Sequence, residues 1–258
     1  MQVELNNLHA APWGTPLLAD IDFCLERGQV LGILGPNGAG KTSLLNLLCG
    51  AVQPSEGTLR LNDRPLSEWS LARRARSIAV LPQQSNLSFP YTVREVIALG
   101  RTPHASGAAA DTQVVDEVLE ATDTSHLRQR LYTQLAGGEQ QRVQLARVFA
   151  QVWRDQDADG RLLLLDEPTS ALDLSHQQLV METVQQMAAG GCTAVVIAHD
   201  FNLAARYTQR CLVLDQGVQR ACGSPVEVLC PSLFRDVFGV EAEVMAHPAD
   251  GRPVVFVA

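Results

Sequence analysis

Short apolar runs recur along the chain, and their internal pattern sorts them into two kinds of strand. Val30-Leu31-Gly32-Ile33-Leu34, Ser77-Ile78-Ala79-Val80-Leu81, Leu162 to Leu165 and Thr193 to Ala198 are apolar without alternation, the pattern of parallel strands covered on both faces. Leu17 to Leu25 alternates in part, with Ile21, Phe23 and Leu25 one way and Asp20 and Asp22 the other, as a half-exposed antiparallel strand does. Val3, Leu5 and Leu8 before it and Gly57 to Leu61 after it continue that pattern. Helical periodicity takes over from Thr92 to about Leu131, broken near Pro103 to Gly107, with Val96, Leu99, Val114, Val115, Val118 and Leu119 forming the apolar stripes. Further helices are predicted from about Glu139 to Trp153 and from Ser175 to Ala189, the latter placed between two apolar strands as a βαβ crossover requires. Arg154 to Gly160 reads as a polar surface loop, and the tail from Cys211 as short strands and helices around a turn at Gln216-Gly217.

These elements predict an α/β fold: a P-loop-type core with a parallel sheet, an N-terminal antiparallel β-subdomain and an inserted helical subdomain. The core with its β-subdomain is expected over roughly 1–84 and 131–258, and the helical subdomain over roughly 85–153. A length of 258 residues suits one such domain, and a formal net charge of −8 disfavours a general nucleic-acid-binding surface. No apolar run approaches the length needed to span a bilayer, and the N-terminus lacks a basic-then-apolar signal, so the chain reads as soluble and cytoplasmic. Six cysteines are scattered without metal-site spacing, and Cys24 and Cys49 fall in apolar runs where a reduced thiol acts as a small hydrophobe.

Candidate chemistry begins directly after the first buried run. Gly35-Pro36-Asn37-Gly38-Ala39-Gly40-Lys41-Thr42-Ser43 fits the phosphate-binding loop pattern, and Leu44 to Gly50 continues as a helix. Strand, glycine loop and helix together let backbone N–H groups and a helix N-terminus close around phosphate oxygens. Lys41 is placed to reach the outer phosphates and the Thr42 hydroxyl to ligate Mg²⁺. The run Leu162 to Leu165 ends in Asp166-Glu167-Pro168, which delivers carboxylates where an α/β sheet holds its ligands. Asp166 fits a carboxylate that orients Mg²⁺, and Glu167 one that orients or deprotonates an attacking water.

Other segments carry a resemblance. Leu135-Ala136-Gly137-Gly138-Glu139-Gln140-Gln141-Arg142 resembles the signature motif of the ATP-binding-cassette ATPases, Ser170-Ala171-Leu172-Asp173 their D-loop, and His199 their switch histidine. Gln83 after Val80-Leu81-Pro82 is similar to their Q-loop glutamine, and Trp13 to the aromatic on which they stack adenine. The resemblance spans nearly the whole chain in the family's order. It implies ATP and Mg²⁺ as cofactors, with Thr42, Gln83 and Asp166 at the metal and Glu167, His199 and Gln83 in catalysis. It also implies a head-to-tail dimer, in which Ala136, Gly137, Gly138, Glu139 and Asp173 of one copy close on the nucleotide of the other. Ala136 departs from the serine usual there, removing one hydroxyl contact to phosphate.

A single cassette without fused membrane spans resembles the ATPases of bacterial importers. This implies two transmembrane permease subunits as partners, a periplasmic substrate-binding protein acting indirectly, and a place on the cytoplasmic face of the inner membrane. Ser88 to Val96 is similar to the surface that receives the permease in vitamin B12- and iron-chelate-type importers. Gly138 to Arg147 and Leu172 to Gln178 resemble most closely the hemin-import branch, with siderophore or cobalamin import as the alternative and iron–sulfur assembly a more distant one. His9, His104, His126, His176 and His247 form no heme-ligating pattern, and Arg73, Arg74 and Arg76 read as a solvated helix face.

Overall fold

The computed structural model describes residues 1–11, 17–83, 87–154 and 160–257. Three antiparallel strands open the fold: β1 (Val3–Ala10), β2 (Leu18–Leu25) and, beyond the nucleotide-loop strand β3 (Val30–Leu34) and helix α1 (Lys41–Leu48), β4 (Glu56–Leu61). β1 lies between β2 and β4, with Val3 opposite both Leu25 and Leu61. The inward positions Val3, Leu5, Leu8, Ile21 and Leu25 are all but inaccessible to solvent, as the alternation predicts. A two-residue strand β5 (Arg64–Pro65) ends that edge, and α2 (Leu71–Ser77) leads to β6 (Ile78–Leu81).

The helical block is α3 (Val93–Ala98), α4 (Ala108–Ala121) and α5 (Gly137–Val152). Thr92 to Leu131 is helical with the break where the sequence places it: α3 and a 3₁₀ turn end by Arg101, and α4 begins at Ala108. Gly107 at φ +86° supplies the backbone change between α3 and α4. α3 starts on a full capping box, with Glu95 N–H donating to the Thr92 hydroxyl and Thr92 N–H to the Glu95 carboxylate at 2.7 Å. Val143, Leu145, Ala146, Phe149 and Ala150 of α5 pack on Val96, Val114, Val118 and Leu163 in one core. Arg101 anchors this block: buried, it donates to Asp111 at 2.9 Å and to the Ala150 carbonyl at 2.8 Å.

Then follow β7 (Arg161–Asp166), α6 (Leu174–Ala189), β8 (Cys192–Ile197), α7 (Phe201–Tyr207), β9 (Arg210–Asp215), β10 (Val218–Gly223) and a C-terminal hairpin, β11 (Ala242–Ala246) with β12 (Pro253–Val257). Leu162 to Leu165 are fully buried, each contributing about 1.5–3 kcal/mol relative to exposure. Ten strands run in the order β5-β4-β1-β2-β10-β9-β3-β8-β7-β6. β9, β3, β8, β7 and β6 are parallel neighbours, whereas β10 turns back antiparallel on β9 and meets β2 in one parallel pairing, Val218 with Ala19. The antiparallel and parallel parts are thus joined through β10.

Two local expectations change. Arg74 is not solvated: it turns inward and donates to the carbonyls of Trp69 and Leu66, while the Arg73 guanidinium lies 4.0 Å from the Trp69 ring centroid. All six cysteines are free, but Cys24 and Cys49 are only half-buried while Cys192 and Cys211 are buried. Among the described residues no helix is long and apolar enough to cross a membrane.

Candidate nucleotide-hydrolysis site

Register in the parallel sheet decides what comes together. Ile33 pairs with Ile197, Asp166 with Ile197, and Leu81 with Leu165, so β3, β8, β7 and β6 end level at one edge. Immediately beyond those ends lie the glycine loop, His199, Asp166-Glu167 and Gln83, in sheet order. This is the carboxyl edge at which open α/β sheets hold ligands.

The loop's course is dictated by close approaches. Gly35, at φ +147°, would place a Cβ 2.1 Å from the Leu214 carbonyl oxygen, so a side chain has no room. Gly38, at φ +79°, faces open space, and its glycine serves the turn alone. Lys41 is buried, and its ammonium donates to the carbonyls of Gly35 at 2.8 Å and Pro36 at 2.9 Å. Burial pushes the Lys41 ammonium below its ordinary range, with Glu167 and Asp166 opposing that shift.

At the first turn of α1, the Thr42 hydroxyl donates to Asp166 Oδ2 at 2.8 Å. Asp166 Oδ1 is buried and meets no hydrogen-bond partner among the described residues. Burial raises the Asp166 carboxyl above the ordinary aspartate value, against the Thr42 bond. An orphaned carboxylate oxygen beside a hydroxyl is a donor set that suits a hard cation such as Mg²⁺. In the folded chain Asp166 therefore holds its proton more tightly than in the unfolded one. At pH below the ordinary value of 3.8 the two states are alike, and as pH rises from there through the raised folded value stability falls. Asp166→Asn is accordingly expected to raise the melting temperature of the nucleotide-free chain at neutral pH and to abolish further stabilisation by Mg²⁺ with ATP. Thermal melts across pH check this: the gain should shrink as pH approaches the ordinary aspartate value, and a lower melting temperature at neutral pH refutes it.

Glu167 is the next meeting point. His199 Nε2 donates to Glu167 Oε1 at 2.6 Å, and Gln83 Nε2 reaches the same oxygen at 3.3 Å. Glu167 is one-fifth exposed and His199 about half, so the pair is open to an incoming water or phosphate. The Glu167 backbone is held at φ +50°. Gln83 thus lies against Glu167; no hydrogen bond joins it to Asp166, the residue with which it was expected to share a metal. Trp13 lies outside the described residues, as does most of the Arg154 to Gly160 loop.

The signature segment sits at the start of α5. Gly137 is open, with nothing within 4 Å of where a Cβ would stand, whereas a Cβ on Gly138 would lie 3.0 Å from the Ala171 carbonyl. Gln141 donates to the Pro168 carbonyl, and Gln177 to those of Thr169 and Leu172, so α5 and α6 together hold the segment that carries Ala171 and Asp173. Asp173 caps α6, accepting from the N–H of His176 and the Ser175 hydroxyl, which holds its carboxyl at about 2. At the N-cap of α5 only half a capping box exists: Ala136 N–H donates to Glu139 at 2.9 Å, and the methyl group offers no acceptor in return. Ala136→Ser supplies that acceptor and is expected to stabilise the chain by roughly 0.5–2 kcal/mol. It should also quicken ATP turnover or tighten ATP-driven dimerisation. Unchanged melting, turnover and dimerisation would mean that the missing hydroxyl is irrelevant here.

Sequence reasoning did not single out Asp200 or Asn202. Asp200 caps α7 directly after His199, accepting from the N–H groups of Asn202 and Leu203. An aspartate ahead of a helical stretch was the available signal.

A glycine loop between a buried parallel strand and a helix, facing a strand-end carboxylate, defines a P-loop nucleoside triphosphatase. Residues 18–170 match the ABC transporter family, and the chain belongs to that family. It is an ATP-binding-cassette ATPase. Among its relatives, the hemin import ATP-binding protein HmuV of Pseudomonas entomophila is 47% identical, with 98% of each chain covered. HmuV of Myxococcus xanthus is 45% identical over 99% of this chain and 96% of its own. A metal-chelate type ABC transporter in an inward-facing conformation has a chain of the same fold, with TM-score 0.80 and 26% identity, covering 99% of this chain and 97% of that one. A dimeric ATP-binding cassette bound to ADP and Pi aligns with TM-score 0.75 and 25% identity, over 86% of this chain and 98% of that one.

Proposed function

We propose that this chain is the ATP-hydrolysing motor of a bacterial heme importer. The observation that carries the reading is near full-length similarity, at 45–47% identity, to proteins named for hemin import. Lys41 draws the outer phosphates, and the loop's N–H groups surround them. Thr42 and Asp166 would hold Mg²⁺, with Gln83 as a further candidate ligand, and a bound ion would supply charge neutralisation to the phosphates. Glu167 orients and deprotonates the attacking water, and His199 holds the Glu167 carboxylate in place.

A second copy completes the site. The exposed N-terminus of α5, with Ala136, Gly137, Gly138 and Glu139, caps the nucleotide held by the partner, and the Asp173 segment lines the contact. ATP then favours the closed dimer and hydrolysis the open one. Two permease subunits dock against the segment after Gln83, where Phe89 and Tyr91 stand exposed, and place the motor on the cytoplasmic face of the inner membrane. The α3–α5 block forms the helical arm against which the permease rests, and a periplasmic binding protein acts through that permease. Structural likeness to a metal-chelate type transporter favours one other cargo class, a siderophore or cobalamin.

Purification of the tagged chain from membranes, followed by ATPase assay of the recovered complex, tests the proposal. A polytopic permease whose complex turns over faster with heme-loaded binding protein supports it. Stimulation by a siderophore or cobalamin carrier alone keeps the motor and replaces the cargo. A soluble partner without a permease overturns the transport reading.

A further inference from the structure

His199 stands between two supports. Behind it, Ala198 N–H donates to the Ile33 carbonyl at 3.1 Å, the last backbone tie to the sheet. Ahead of it is α7, whose first turn contains Asn202. The Asn202 amide substitutes for a neighbouring strand: Oδ1 accepts from Val255 N–H at 2.7 Å, and Nδ2 donates to the Val255 carbonyl at 3.1 Å. Both backbone groups of a residue in β12 are thus satisfied by one side chain 53 positions away. At the far end of α7, Arg252 at the turn of the hairpin donates to the Arg206 carbonyl at 2.7 Å. Phe201 completes the mounting, packing edge-on to Phe234 and Phe238 with centroids 4.8 and 4.9 Å apart. The hairpin therefore ties α7 at both ends, and the Asn202 tie is the one beside His199.

We propose that Asn202 is a positioning residue for ATP hydrolysis: through it, the C-terminal hairpin sets where α7 begins and hence where His199 meets Glu167. The inference rests on the reading of His199 given above. A single 2.6 Å bond from His199 to Glu167 tolerates little displacement, and misplacement by about 1 Å from a remote change can cost on the order of a hundredfold in rate. Nucleotide binding, which rests on the loop and Lys41, does not depend on this tie.

The test compares Asn202→Ala, Asn202→Asp, Arg252→Ala and His199→Ala in the full chain by steady-state ATPase assay and thermal melting. Asn202→Ala is expected to lower kcat by about tenfold to a hundredfold with KM for ATP near the native value. Arg252→Ala removes a tie from the same helix away from His199 and should lower the melting temperature while holding kcat within about twofold of native. Asn202→Asp keeps the acceptor for Val255 N–H but turns a carboxylate oxygen against the Val255 carbonyl, so its kcat should fall at least as far as that of Asn202→Ala; it also replaces that variant should the latter not fold. Asn202 variants that lose no more kcat than Arg252→Ala, or whose KM rises as kcat falls, overturn the proposal. If His199→Ala keeps native turnover, the role of His199 itself fails. If it loses turnover while the Asn202 variants do not, only the hairpin's role fails.

Discussion

Glu167→Gln is expected to reduce ATP turnover by about 10²–10⁴-fold while leaving ATP affinity close to native, because it removes the base from the water and nothing from the phosphate loop. The amide oxygen of glutamine can still accept from His199 Nε2, so the 2.6 Å contact need not be lost. Backbone geometry at the position is unchanged, since glutamine meets the same constraint at φ +50° as glutamate does. Nucleotide thus binds and the reaction stops before phosphate release. Phosphate-release kinetics, nucleotide titration and size-exclusion chromatography with ATP report this directly: a slow enzyme, a normal affinity and an accumulated dimer. Near-native turnover would remove Glu167 from its role.

Lys41→Ala is expected to act one step earlier, on binding. The Lys41 ammonium is held by two carbonyls of its own loop. Burial disfavours its charge, so the ammonium gains by meeting phosphate. Charge-assisted contacts of this kind are worth about 1.5–3 kcal/mol each. Loss of one or two should weaken ATP binding by roughly tenfold to several hundredfold or more, with turnover falling in step. Lys41→Met keeps much of the side-chain volume and separates charge from packing. Unchanged affinity in both variants would reject the loop as the phosphate site.

Much of the core could be read from residue order because the signals there are local. Val30 to Leu34, Leu162 to Leu165 and Thr193 to Ala198 are unbroken apolar runs, and each lies in a buried parallel strand. The glycine loop and Asp166-Glu167 directly follow two of them, so reading the strands also placed Thr42 opposite Asp166. What escaped the sequence depends on pairing between distant segments. One pairing, Val218 with Ala19, joins the antiparallel strands to the parallel ones, and no periodicity announces it. Arg74 belongs by composition to a basic helix face, yet carbonyls of Leu66 and Trp69 draw it inward. Asn202 carries no signal of its own in residue order, because its partner in β12 lies 53 positions along the chain. Gln83 is brought beside Glu167 by the register of β6 on β7, Leu81 pairing with Leu165, which residue order alone does not reveal.

Seven non-glycine residues among those described have positive φ, and five of them are Asn or Asp, whose short polar side chains tolerate the left-handed region. Gln216 is eased by the adjoining Gly217 turn, leaving Glu167 as a long side chain held there in the middle of the site. Such a conformation costs on the order of 1–3 kcal/mol, which glycine would largely release. A gene copy no longer needed for ATP hydrolysis, or a library selected only for heat tolerance, should therefore drift at this position toward Gly or Asn, and one nucleotide change turns a glutamate codon into a glycine codon. Such descendants would outlast the parent on heating while hydrolysing almost nothing, so thermal endurance in this lineage is no guide to whether the ATPase still turns over.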